Sequence, residues 1–212
     1  MQQDTVDMIV RFFVLTVSLS IHEFSHAWVA FRLGDDTAAR IGRMTINPLV
    51  HLDIVGSMMI LFGMPLGWAK PVPVNVMRLR DPRRDGSLVA LAGPASNIIL
   101  GILFCTAFFF LGNRGFGWYR LLTFFIQVNF GLAIFNLLPL YPLDGSKVFP
   151  LFLSRQAADR YDEVMGKLGF WPLLVLFLPP LLGFRGPLNW WFDLWAPILR
   201  PLLGLFGVPS PW

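Results

Sequence analysis

SIHEFSHAWVA, residues 20–30, decides how this chain is read. Two histidines, a glutamate and two serines sit inside a run otherwise fit for the middle of a membrane. MIVRFFVLTVSLSI (8–21) lies upstream and AWVAFRL (27–33) overlaps and follows. Ionisable side chains in hydrocarbon are costly by several kcal/mol and mark function by default. The pattern is H-E-x-x-H. On a helix His22 and His26 are one turn apart and project from one face, a spacing at which two imidazoles bind one zinc ion. Glu23 borders them, and a carboxylate there can take a proton from water and return it to a leaving amine.

The rest of the composition agrees with a membrane setting. Of 212 residues 55% are hydrophobic and 14% charged, with 21 Phe and 8 Trp. Such a chain lacks the polar surface to cover a water-facing globule. Several apolar stretches approach the roughly 20 residues needed to span a bilayer. Spans are expected at about 8–33, 87–112, 119–139, 168–183 and 190–208, in one integral-membrane domain over 1–212. The catalytic core is expected at about 8–150 and the C-terminal helices at about 168–208. The reading is an all-α polytopic protein with about five transmembrane helices. The net charge of +4 requires no nucleic-acid partner, because the cations sit in loops between apolar runs. Cys105, the single cysteine, is a packing residue inside a span. The first apolar run is too long for a signal peptide and lacks a basic leader segment. No internal repeat or soluble appendage is visible.

Residues 54–68 are apolar but short, and broken by Gly56, Gly63, Pro65 and Gly67. A re-entrant loop fits better than a span. The following Pro71-Val72-Pro73-Val74-Asn75 reads as a short β-like edge segment, where proline is tolerated. Arg32, Arg40 and Arg43 flank this region on one side, and Lys70, Arg78, Arg80, Arg83 and Arg84 on the other. Both flanks are cytoplasmic by the positive-inside rule, with the N-terminus outside.

A catalytic zinc commonly has three protein ligands and water. His51, Asp53, Asp144, Asp193 and Glu163 are candidates for the third. Asp144 stands out: it follows FNLLPLYPLDGS (135–146) at the cytoplasmic end of the third span, at the depth of His22 and His26. The bland reading of Asp144 is an Asp-Gly turn. His51 reads as a loop residue paired with Asp53 or backbone, with an alternate-ligand role less favoured.

HEFSHAW followed by NLLPLYPLDG (136–145) resembles the site-2 protease family of intramembrane zinc metalloproteases, in its compact type without PDZ or CBS domains. INPLVHLDIVGS (46–57), GWAKPVPVN (67–75) and LAGPASN (91–97) add to the likeness, which covers roughly 8–150. The resemblance implies one zinc per chain on His22, His26 and Asp144, with Glu23 as the base. The family pattern often reads Asp-Gly-Gly; here it is Asp144-Gly145-Ser146, which leaves the ligand intact. The resemblance implies that Asn136 lies near the metal and contacts substrate; the competing reading is an interhelical hydrogen bond. Asn97 is a candidate for bonding the substrate backbone or the 70–75 segment, and Gly93 and Pro94 for close helix packing. Val72, Val74 and Asn75 belong to the edge that an unwound substrate would extend as an added strand. The implied substrate is a transmembrane protein, cut in or near its span by a multi-pass protein of the cell membrane with its active site toward the cytoplasm. A regulatory membrane partner is compatible with this. A metal transporter is the rival class; it would need exchangeable ligands along a path, where hydrolysis needs one compact site with a base.

Overall fold

Long apolar runs make the longest helices in the computed structural model, which describes residues 2–61 and 69–210. Helix α1 (Gln2–Arg32) carries the H-E-x-x-H stretch and stops at Gly34, whose φ of +113° favours glycine. Short helices α2 (Thr37–Arg40), α3 (Pro48–His51) and α4 (Ile54–Leu61) follow. Helix α5 (Pro82–Leu111) starts at an Asp81 cap that accepts from the Arg83 and Arg84 N–H groups, with Pro82 in the first turn. Helix α6 (Phe116–Asn136) returns, and a tight turn leads to α7 (Gly145–Val148). Helices α8 (Arg155–Leu168), α9 (Trp171–Leu181) and α10 (Pro187–Leu205) complete the chain.

Helices α1, α5 and α6 form the bundle that holds the site. Three rungs tie α1 to α6 in parallel: Asp7 pairs with Arg120 near one end, Ser18 bonds Asn129 midway, and the histidines meet Asp144 just past the other end. Helix α5 runs the opposite way, so Asn97 faces His22 while Phe108 packs on Tyr119. Gly101 lets α5 approach α6 closely, since a Cβ there would stand 2.8 Å from the Phe130 ring. Cys105, Phe108, Ile126, Phe130 and Leu203 build the apolar core beside the site. The buried Cys105 is a packing residue, as its apolar neighbours implied.

The chain is all-helical, with no strand among the described residues beyond one isolated bridge between Leu52 and Ala69. That bridge, with Lys70 N–H on the His51 carbonyl at 2.7 Å, brings both ends of the 53–68 stretch together. The expected re-entrant stretch falls partly outside the described residues, at 62–68. Segment 70–75 is extended without being a strand.

Among the described residues three helices are long and apolar enough to cross a membrane: α1 from Thr5, α5 and α6; a fourth exists if α8 and α9 form one bent span. The difference from five lies in the C-terminal third. Hydropathy places a span at 168–183, but Gly169, at φ +54°, turns the chain by 65° between a polar α8 and an 11-residue α9. Helix α10 reaches 19 residues and carries Asp193, Arg200, Pro197 and Pro201.

Candidate active site

The helical spacing of His22 and His26 puts both rings on the face of α1 that meets α5. Both are buried. Val89 offers its carbonyl to His26 Nδ1 at 2.7 Å. A carbonyl only accepts, so this nitrogen carries the proton and Nε2 presents a bare lone pair. His22 Nδ1 lies 2.6 Å from Asn97 Oδ1. The two Nε2 atoms converge to 3.0 Å.

Asp144 completes the cluster. Its Oδ2 is 3.1 Å from His22 Nε2 and 3.4 Å from His26 Nε2. The turn after α6 delivers it there because residue 145 is glycine: a Cβ on Gly145 would stand 2.3 Å from the Leu138 carbonyl oxygen. Asp144 Oδ2 is buried and takes no hydrogen bond. Two imidazole nitrogens and a carboxylate oxygen without a hydrogen-bond partner face one point, an arrangement that a cation among them satisfies. Two neutral imidazoles and one carboxylate are a zinc-type donor set, within 4.8 Å of one another. Among the described residues this is the one such group.

Glu23 borders a cavity of about 210 Å³ that His22, His26, Asn136 and Asp144 also line. Its Oε2 accepts from the Val72 N–H at 2.8 Å. The extended segment is pinned from behind: Arg43 donates to the Pro71 carbonyl, and the Asn75 N–H donates to Asp35, each at 2.7 Å. Backbone groups alternate in direction along an extended chain. The Pro71 carbonyl and the Asn75 N–H thus point to one side, toward Arg43 and Asp35, and the Val72 N–H to the other, toward Glu23. The two prolines stand where a donor would point away from the cavity.

Asn136 lines the cavity, with Nδ2 on the Leu132 carbonyl at 2.9 Å. Asn97 is fully buried behind His22, its amide joined to His22 and Asn129. Asn75 uses its side chain to cap the turn at Met77 N–H. Val72 and Val74 line the cavity and pack against Ala27 and Ala30 respectively. His51 binds the Thr45 carbonyl at 2.7 Å, away from the cluster, and Asp53 accepts from the Gly56 N–H at the start of α4. Asp193 pairs with Arg185 and Glu163 with Lys167. Sequence reasoning missed Asn129 and Asp35. Asn129 left one signal, a polar residue seven before Asn136 on an apolar helix and so on the same face.

Comparison with known proteins gives a coherent picture. The description of Peptidase family M50 matches residues 113–176. The chain is 40% identical over 177 residues to "Putative zinc metalloprotease YwhC" of Bacillus subtilis, covering 79% of each. It is 33% identical over 188 residues to "Putative zinc metalloprotease Rip2" of Mycobacterium tuberculosis, covering 84% of this chain and 71% of that one. "Zinc metalloprotease MJ0392" of Methanocaldococcus jannaschii is 26% identical over 179 residues, 83% of this chain and 44% of that protein. No solved structure matches.

Proposed function

The chain belongs to peptidase family M50, and from that premise we propose that it is a multi-pass intramembrane zinc endopeptidase of the site-2 type, cutting membrane-protein substrates in or near a transmembrane segment. One observation carries the reading: two imidazole nitrogens and a carboxylate oxygen converge on one buried point beside a cavity bordered by Glu23.

His22, His26 and Asp144 would hold one zinc ion, which when bound supplies a Lewis acid and makes water a nucleophile near neutral pH. Glu23 takes the proton from the attacking water and passes it to the leaving amine. The Asn136 amide, at the cavity wall, donates to the oxygen that gains charge as the carbonyl is attacked. A substrate helix keeps its carbonyls bonded internally and must unwind to be cut. The edge formed by Val72 and Val74 then accepts the unwound stretch as an added strand. Pairing there lays the substrate backbone along Glu23.

The 54–68 stretch enters and leaves on one side, consistent with the bridge at its ends and the basic flanks. By charge, that side is the cytoplasm, the N-terminus is outside and the membrane is the cell membrane. A regulatory membrane partner is part of this reading. A transporter would require a ladder of exchangeable sites; among the described residues one compact cluster is present.

The test is reconstitution of the purified chain in liposomes with a tagged single-span substrate. Cleavage that a chelator stops and added zinc restores supports the proposal. Zinc flux across the vesicle with no cleavage would replace it with the transporter reading.

A further inference from the structure

A chain of buried amides leads from His22 to the third long helix. Asn129 Nδ2 lies 2.8 Å from the Phe125 carbonyl and 3.0 Å from Ser18 Oγ; Asn97 Nδ2 lies 2.9 Å from Asn129 Oδ1; and Asn97 Oδ1 lies 2.6 Å from His22 Nδ1. Ser18, Asn97 and Asn129 have no exposed surface. No solvent can substitute for a lost partner.

One group in this chain has no choice. The Phe125 carbonyl can only accept, so the Asn129 NH₂ must face it. Its second hydrogen then reaches Ser18, and its oxygen must face Asn97. That oxygen takes the Asn97 NH₂, which leaves Asn97 presenting its oxygen to His22. An acceptor at Nδ1 draws the imidazole proton there and leaves Nε2 bare toward the cluster. Were either amide reversed, an NH₂ would face His22, the proton would move to Nε2, and the ring would present an N–H where a lone pair is needed.

We propose that Asn129 is a positioning residue that fixes the tautomer of His22 through Asn97, so that the ring offers Nε2 to a metal. The inference rests on the zinc reading for its consequence but not for its geometry. It couples α6 to a ligand on α1 without touching the cavity. Residues that orient metal-binding histidines through their second nitrogen typically carry about 10–100-fold in metal affinity.

The first measurement is ¹⁵N NMR of histidine-labelled apoprotein in alkaline buffer, where imidazoles are neutral; with three histidines in the chain, assignment by His22→Gln and His26→Gln is direct. The parent should show His22 protonated at Nδ1. Protonation at Nε2 would overturn the proposal with no variant needed. In Asn129→Leu, Asn97 is free to reverse; His22 should gain Nε2 protonation and the Zn²⁺ dissociation constant should rise about 10–100-fold. Adding Asn97→Asp to that variant should restore both, because a carboxylate has no donor face to present. A folded Asn129→Leu protein with the parent tautomer and parent Zn²⁺ affinity would reduce the chain of amides to helix packing. A parent chain that bound no Zn²⁺ would remove the functional reading, while the tautomer data alone would still decide the role of Asn129.

Discussion

Gly93 of α5 and His22 of α1 are in such close contact that a Cβ on residue 93 would stand 2.5 Å from His22 Nε2; the same atom would be 2.4 Å from His26 Nε2. The missing side chain is what lets both ligand nitrogens meet.

Gly93→Ala should therefore disable the site selectively. The methyl group cannot coexist with either ring, and forcing extra carbon into a packed interior costs about 1–3 kcal/mol. The protein should still insert and bind detergent as the parent does, but zinc content after purification should fall well below one per chain. A Gly93→Ala protein with full zinc occupancy would mean that the rings sit elsewhere in solution.

Asp35→Ala tests the support behind the extended segment. Asp35 is buried and accepts from Asn75 N–H, Thr37 N–H and the Thr37 hydroxyl. Each hydrogen bond lost with this acceptor is worth roughly 0.5–1.5 kcal/mol. Zinc content should persist, because Asp35 contacts no ligand, while cleavage of a membrane substrate should drop through a higher KM. A proportional loss of zinc would tie Asp35 to the metal cluster instead of the edge.

The topology has its own check. Cysteines introduced at Arg43 and at Arg83, in a Cys105→Ala background, should react with an impermeant thiol reagent from the same side of the membrane. Reaction from opposite sides would place 54–68 across the bilayer and separate Asp144 from the histidines.

Zinc should also stabilise the fold. A ligand that binds the native state alone adds about 2.7 kcal/mol at a free concentration 100 times its Kd. Thermal unfolding in detergent should shift upward with zinc for the parent and stay flat for Asp144→Ala. An equal shift in both would assign the effect to other sites.

Much of this site was legible because its chemistry follows helix periodicity. His22 and His26 are one turn apart, which is a statement about the sequence alone. Asp144 followed from counting crossings. Other features depend on contacts that periodicity does not encode. Asn97 is a candidate in sequence for the substrate backbone or the 70–75 segment, yet it stands behind the histidine; its neighbours in space are 75 and 32 residues away in sequence. Nothing in the sequence marks which way the Asn129 amide faces; the Phe125 carbonyl fixes it. Asn75 drew attention as part of the edge, but its side chain closes a turn. Three to four of the expected five spans pass on length and hydropathy among the described residues; in the C-terminal third hydropathy averages over the 65° bend at Gly169.

On the proposed reading Glu23 drives hydrolysis and does not hold the metal. Glu23→Gln keeps the shape and removes the basic carboxylate. Purified parent and variant, each with its zinc content measured, are compared on the same tagged single-span substrate in liposomes. The account predicts equal zinc and a loss of cleavage rate of about 10²–10⁴-fold, the usual worth of positioned acid–base help. Undiminished cleavage by a fully zinc-loaded Glu23→Gln protein would contradict it.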